Sequence, residues 1–253
     1  MKYFFASDVH LGLDIPGHDS RSRQQLFCRW LDMVASELDT FGGALYLLGD
    51  IFDFWFEYRR VAPQGFVRTL GRLADMCDSG LDIHFFTGNH DTWTFGYLAD
   101  ETGMTVHKEL FNTNLSGRNV MMGHGHRLDI DGIPSSQRFL NALFNNRTAY
   151  NIFSRIIHPD AAMLFGQSWS HSNRRSRSIS HTFREEKEPV VRYARKTMNT
   201  QTPSPDLFIF GHLHTPVIYP LDNNRQLTIL GQWITEPTYA ILDDNGIRLE
   251  PYL

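Results

Sequence analysis

Five short apolar runs, each followed by residues that bind metal ions well, constrain this chain more than any other feature. Residues 2–6 lead into Asp8 and His10, and residues 44–48 lead into Gly49-Asp50. Residues 83–87 lead into Gly88-Asn89-His90-Asp91, residues 119–122 into Gly123-His124, and residues 206–210 into Gly211-His212-Leu213-His214. Apolar or β-branched runs this short, bounded by glycine and polar residues, read as buried strands. In an open α/β sheet the strand ends share one crevice, where ligands gather. Strands that all deliver His, Asp or Asn at their trailing ends describe a metal centre.

The residue types narrow the chemistry. Asp8, His10, Asp50, Asn89, His124, His212 and His214 offer imidazoles, carboxylates and one amide, and no thiolate. The set is too large for one tetrahedral ion and suits two ions sharing a bridging carboxylate. Mixed nitrogen and oxygen donors favour Mn, Fe or Zn over Mg and Ca, which prefer oxygen alone. Two ions about 3.5–4 Å apart can clamp the attacking and leaving oxygens of an in-line phosphoryl displacement. Glycine precedes Asp50, Asn89, His124 and His212, and glycine permits close backbone approach. By contrast, His18, His107 and His158 read as structural, as do His84 and His181.

Helices fill the gaps between the first strands. Apolar residues recur at helical spacing over 23–38 and again over 66–77, where the pattern closes at Ser79-Gly80. A β-α-β-α start predicts parallel strands joined by right-handed crossovers. The tail, 217–253, alternates over 227–230, 238–242 and 247–249, which predicts antiparallel strands. The chain is 42% apolar with nineteen Phe, enough bulky material for a core, and its net charge of −4 gives no case for nucleic-acid binding. The first strand begins at Lys2, which excludes a signal peptide, and no run approaches the roughly 18 apolar residues of a spanning helix. Cys28 and Cys77 fit a reduced cytoplasm, each as a small core residue.

Residues 128–202 break the pattern. They carry no strand signal and read as helices over 137–144, 149–157 and 180–198. A helical insertion beside a metal centre is a natural cap, so the expected division is a core of 1–127 and 203–253 with a cap of 128–202. Arg174, Arg175 and Arg177 stand in a run with no acidic residue and are candidates for phosphate contacts, since guanidinium forks suit phosphate oxygens. Phe139, Leu140, Phe144, Ile152, Phe153, Ile156 and Phe165 make the insertion strongly apolar. Either the helices pack on one another, or part of this surface lines a slot for acyl chains.

The five motifs, Asp8-Val9-His10, Gly49-Asp50, Gly88-Asn89-His90-Asp91, Gly123-His124 and Gly211-His212-Leu213-His214, resemble the ordered signatures of the calcineurin-like metallophosphoesterases. That resemblance implies two mixed β-sheets packed face to face with flanking helices, here with a helical cap insertion, and a metal-dependent hydrolase. It implies that one ion takes Asp8, His10, Asp50 and His214, and the other Asp50, Asn89, His124 and His212. His90 would then protonate the leaving oxygen or stabilise the transition state, with Asp91 orienting its ring, and Asn89 would also touch substrate. The opening 5–12 and the segment 47–55, with its aromatics after Gly49-Asp50, are similar to a subgroup, the UDP-2,3-diacylglucosamine pyrophosphohydrolases of lipid A biosynthesis. Members cleave an acylated nucleotide sugar to UMP and a diacylglucosamine 1-phosphate, usually with Mn. The implied setting is the cytoplasm, peripheral on the inner membrane. Two residues depart from the subgroup: His90 stands where many members have Arg, and His126 where many have Asp. Another phosphoester substrate, or a non-catalytic scaffold of the same fold, are the other readings.

Overall fold

The computed structural model describes residues 1–58, 60–128, 150, 155–161, 164 and 181–253. The helix expected over 137–144, most of that over 149–157, and Arg174, Arg175 and Arg177 lie outside the described residues. Eleven strands among those described form two sheets. The first sheet contains β1 (Lys2–Ala6), β2 (Gly43–Leu47), β3 (Asp82–Phe86), β4 (Thr105–His107), β10 (Thr238–Asp243) and β11 (Gly246–Pro251), in the order β11-β10-β1-β2-β3-β4. The second holds β5 (Phe111–Leu115), β6 (Arg118–Gly123), β7 (Leu207–Phe210), β8 (Val217–Pro220) and β9 (Gln226–Ile229), in the order β5-β6-β7-β9-β8. Helices α1 (Ser20–Phe41), α2 (Val67–Asp78), α3 (Tyr97–Thr102) and α4 (Pro189–Thr200) flank them.

The strands read as unbroken apolar runs because both of their faces are buried. Along β1, Phe4 packs with Trp30, Leu31 and Val34 of α1, while Phe5 turns to the other side. There Phe5, Tyr46, Leu48 and Phe86 meet Leu115, Val120, Met122 and Ile209 of the second sheet. The outer face of that sheet, Met121, Phe208 and Phe210, is covered by Val190, Val191 and Ala194 of α4. The fold class is therefore α/β, with two mixed sheets packed face to face.

Helix α1 starts at Ser20, ahead of the apolar periodicity, because the Asp19 side chain accepts the Ser22 N–H at 2.8 Å as an N-cap. The helix expected over 180–198 is not continuous. Residues 181–184 are non-helical, Glu188 is extended (ψ 134°), and α4 begins at Pro189. Proline favours the first turn of a helix and biases the residue before it toward extended backbone. By its packing α4 is a flanking helix of the second sheet, although it falls within the span expected to be cap.

The tail is not antiparallel throughout, although its alternation predicts that, and it divides between the two sheets. Strand β9 runs parallel to β7 and antiparallel to β8. Strands β10 and β11 cross to the first sheet, where β10 pairs antiparallel with β1. The crossing is fastened by Trp233, whose backbone N–H donates to the Asp8 carbonyl at 3.1 Å and whose ring meets Phe27 and Trp30 edge-on. The expected parallel start is present: β1, β2 and β3 are mutually parallel. In the second sheet β6 and β7 are parallel as well. Each set therefore releases its chain at one edge, which is where the motif loops stand. Among the described residues no helix is long and apolar enough to cross a membrane.

Candidate metal centre

Backbone hydrogen bonds stitch the motif loops together before any side chain takes part. Asp8 N–H donates to the Gly49 carbonyl at 3.0 Å, His10 N–H to Asp50 at 3.0 Å, and Gly211 N–H to His124 at 3.1 Å. Close approach requires glycine here: a Cβ on Gly88 would lie 2.1 Å from Asp50 Oδ1, and one on Gly49 would lie 2.8 Å from the Gly88 backbone and His124 Cγ. Asp8, His10, Asp50, His212 and His214 all adopt left-handed backbone, with φ between 49° and 70°. Only Ser116 and Glu185 share that conformation among the other described non-glycine residues. Left-handed backbone at such residues costs about 1–3 kcal/mol each and persists where the surroundings enforce it.

The side chains divide their atoms in a consistent way. Asp8 gives Oδ2 to the His212 N–H at 2.9 Å and turns Oδ1 toward His214 Nε2, 3.0 Å away. Asp50 gives Oδ1 to the His90 N–H at 2.8 Å and turns Oδ2 between His124 Nε2 at 3.2 Å and His10 Nε2 at 3.9 Å. His124 donates from Nδ1 to the Leu48 carbonyl at 2.8 Å, which leaves the lone pair on Nε2, 3.2 Å from Asn89 Oδ1. His10 Nδ1 faces Asp53 Oδ1 at 3.2 Å, so its Nε2 too points inward, 3.3 Å from His214 Nε2. Asp8, His10 and His214 thus form one donor group, and Asp50, His124 and His212 another, with Asn89 beside the second.

Inward imidazole lone pairs facing each other and facing carboxylates need positive charge between them. Without cations, protons supply it. Burial opposes charge on Asp8, yet His214 overcomes it and holds the carboxyl far below its usual range. Burial likewise disfavours the imidazolium of His124, but the Asp50 charge prevails and raises it to about 10. His212, dominated by burial, falls to about 3. Asp8 Oδ1 has no well-aligned hydrogen-bond donor, the condition expected of an oxygen placed to bind a cation. The donor set fits two divalent ions sharing Asp50, with nitrogen and oxygen on each.

His90 and Asp91 are both buried, but not as a pair. His90 Nδ1 lies 2.8 Å from the Asp53 carbonyl, with Asp53 Oδ1 at 4.0 Å. The Asp91 carboxylate instead accepts backbone N–H groups of Gly88 (2.6 Å), Ile51 (2.8 Å), Asp50 (3.2 Å) and Phe52 (3.3 Å). Burial and the nearby Asp50 charge push it up to about 7 against those donors. The expected ring-orienting role of Asp91 thus belongs to Asp53, and Asp91 fastens the second motif loop to the third. Asp53 was not singled out in the sequence. Its carboxylate and carbonyl hold His10 and His90 respectively, and its position three residues after Asp50 was the available signal.

The residues read as structural have other partners. His84 Nδ1 meets His107 Nε2 at 2.9 Å and its ring stacks on Tyr46, while His181 Nε2 pairs with Glu188 at 2.8 Å. Cys28 and Cys77 are free and partly buried.

The sequence profile of the calcineurin-like phosphoesterases matches residues 1–216. A protein of Porphyromonas gingivalis named UDP-2,3-diacylglucosamine hydrolase is 34% identical, over 98% of this chain and 97% of its own length. A protein of the same name from Shewanella halifaxensis is 28% identical over 98% and 97%. The solved phosphoesterase Yfce of E. coli is 15% identical, covering 98% of this chain and 91% of that one, with a TM-score of 0.46.

Proposed function

The chain belongs to the calcineurin-like phosphoesterase family and is a metal-dependent hydrolase, and from that premise we propose that it cleaves the pyrophosphate bond of UDP-2,3-diacylglucosamine. The products would be UMP and 2,3-diacylglucosamine 1-phosphate. The observation that carries the substrate is full-length similarity to relatives of that name, 34% identical over 98% of the chain in one case. The resident ions we propose are Mn, and the working place is the cytoplasmic face of the inner membrane, where an acylated sugar would be presented. The insertion within 128–202 would serve as the cap over the acyl chains, with Arg174, Arg175 and Arg177 on phosphate oxygens.

In this reading Asp8, His10, Asp50 and His214 hold one ion, and Asp50, Asn89, His124 and His212 the other. Bound there, two divalent cations supply Lewis acidity that activates water and offsets phosphate charge in an in-line displacement. The chain does the rest. Asp50 keeps the two groups of donors in register, since its Oδ1 is tied to the third motif loop. His90 donates from Nδ1 to the Asp53 carbonyl, and in this reading Nε2 would be the ring atom that meets substrate. A proton carried on Nε2 would pass to the leaving phosphate oxygen. Asn89, whose Oδ1 lies 3.2 Å from His124 Nε2, would touch both the ion and a phosphate oxygen.

The test compares three substrates on the Mn-loaded protein: the diacyl nucleotide sugar, UDP-N-acetylglucosamine and an aryl phosphodiester. UMP release is expected to be far more efficient with the diacyl substrate, because each buried CH₂ contributes about 0.8 kcal/mol of binding. Equal efficiency on all three would refute the lipid substrate and leave a phosphoesterase of another specificity.

A further inference from the structure

Beside the second donor group stands a histidine that the metal arrangement does not use. His126 follows His124 by one turn residue, Gly125, whose φ of 101° only glycine adopts readily. Its ring centroid lies 5.2 Å from that of His124 and 6.2 Å from that of His212. The Arg127 guanidinium donates from Nε to His126 Nε2 at 3.1 Å. Arg127 is itself held, with Nη2 3.4 Å from Thr92 Oγ1 and Nη1 3.6 Å from Glu109 Oε1.

This contact fixes the tautomer. Guanidinium nitrogen can only donate, so His126 Nε2 must carry the lone pair and the neutral ring must carry its proton on Nδ1. A metal ion bound at Nδ1 would need that proton moved to Nε2, where it would meet the Arg127 N–H head-on. His126 is thereby excluded as a further metal ligand in this arrangement. Its Nδ1 is buried and has no hydrogen-bond partner among the described residues. Buried donors are seldom left unpaired, and one that stands beside a candidate metal centre has a water, an ion or a ligand as its natural partner. In this property it matches Asp8 Oδ1, which faces the metal centre.

We propose that His126, locked as the Nδ1–H tautomer by Arg127, donates a hydrogen bond to a non-bridging phosphate oxygen of the substrate beside the second metal position. The inference rests on the phosphoester reading of the site and deepens it. It assigns a substrate contact to the core of the fold, independent of the insertion. The contact uses a neutral donor that is oriented before substrate arrives, as electrostatic stabilisation of an anion requires.

The test uses the Mn-loaded full chain and inorganic phosphate as the probe, titrated by calorimetry against wild type, His126→Ala and His126→Asn. Asparagine places an amide N–H close to where Nδ1 stood, so it separates loss of the donor from loss of the ring. His126→Ala is expected to bind phosphate about 10–100-fold more weakly, with metal content unchanged and His126→Asn recovering most of the loss. Equal phosphate affinity in His126→Ala overturns the proposal, as does loss of metal, or an Asn variant no better than Ala. Nitrogen-15 spectra of the wild-type imidazole give a second readout that needs no variant to fold: a proton on Nε2 overturns the assignment. The two readings fail separately. Phosphate binding that drops in His126→Ala without hydrolysis of the diacyl substrate removes only the lipid reading. Hydrolysis of that substrate with unaltered phosphate affinity removes only the His126 donor.

Discussion

Replacing Asp91 by asparagine tests whether this residue fastens the centre or takes part in the chemistry. Its two oxygens accept four backbone N–H groups, Oδ1 from Gly88 and Asp50 and Oδ2 from Ile51 and Phe52. Asparagine retains one oxygen and puts an NH₂ where the other stood, so two donors lose their acceptor and face a donor instead. Hydrogen bonds to a charged group are worth roughly 1.5–3 kcal/mol each, which gives roughly 3–6 kcal/mol for the pair. For a chain of this size that corresponds to a fall in Tm of roughly 6–24 °C. The assay is thermal melting in chelator, because bound ions would stabilise the native state and hide part of the loss. Metal content is measured in parallel, and it should fall, since Asp50 and Asn89 sit on the two loops that Asp91 joins. A variant that melts within 2 °C of wild type, keeps its metal and loses only turnover would refute the fastening role and return Asp91 to the catalytic pair.

Other outcomes follow from the same geometry. Asp50→Ala should lose both ions and all turnover, and full activity in that variant or in chelated protein would sink the two-ion reading. His90→Ala should keep its metal and lose rate by roughly 10²–10⁴-fold, whereas metal loss would make His90 structural. Asp53→Ala should weaken metal binding by roughly 10–100-fold through His10. Asp53→Asn keeps an acceptor and should stay closer to wild type, and two equal isotherms would dismiss the contact. His107 is pushed down to about 4 by burial and then by His84, so the unfolded chain takes up its proton first, near the ordinary 6.5. Stability is then full above that pH and is lost as pH falls toward 4. Urea midpoints between pH 7 and 4.5 should fall less steeply in His107→Gln, and parallel curves would remove His107 as a cause.

What the sequence made legible was local. The runs at 2–6, 44–48 and 83–87 were readable because strands buried on both faces are apolar at every position. β5 was not readable, because its Phe-Asn-Thr-Asn-Leu pattern is that of a half-exposed edge. β4 has only three residues, too few for a period to emerge. Partnership was the larger loss. Nothing in 227–230 reveals that a strand closing a hairpin with β8 also runs parallel to β7. Its place is set by β8 on one side and by Trp233 drawing the following chain onto α1 on the other. Pro189 was a local signal for where a helix must begin, and the apolar periodicity on either side of it obscured that signal.

The centre shows the same division, with one difference of physical origin. Ligand identity follows from side-chain chemistry, so residue types spaced along the chain were enough to nominate the donors. The conformation that makes them converge does not follow from residue type. Asp8, His10, Asp50, His212 and His214 occupy backbone that a sequence reading assigns to glycine. Glycine stands next to two of them, at Gly49 and Gly211, and the sequence put the close backbone approach on those neighbours. In the structure the glycines remove a Cβ that would block the approach of a neighbouring loop, and the ligands themselves take the unfavourable φ. A chain that met this geometry with ordinary backbone would direct the same side chains along their strands and away from the shared crevice. The strain is therefore what turns a set of suitable residues into a site, and it is held by the Asp8–His212, Asp50–His90 and Asp91 backbone contacts rather than by any intrinsic preference of the residues that bear it.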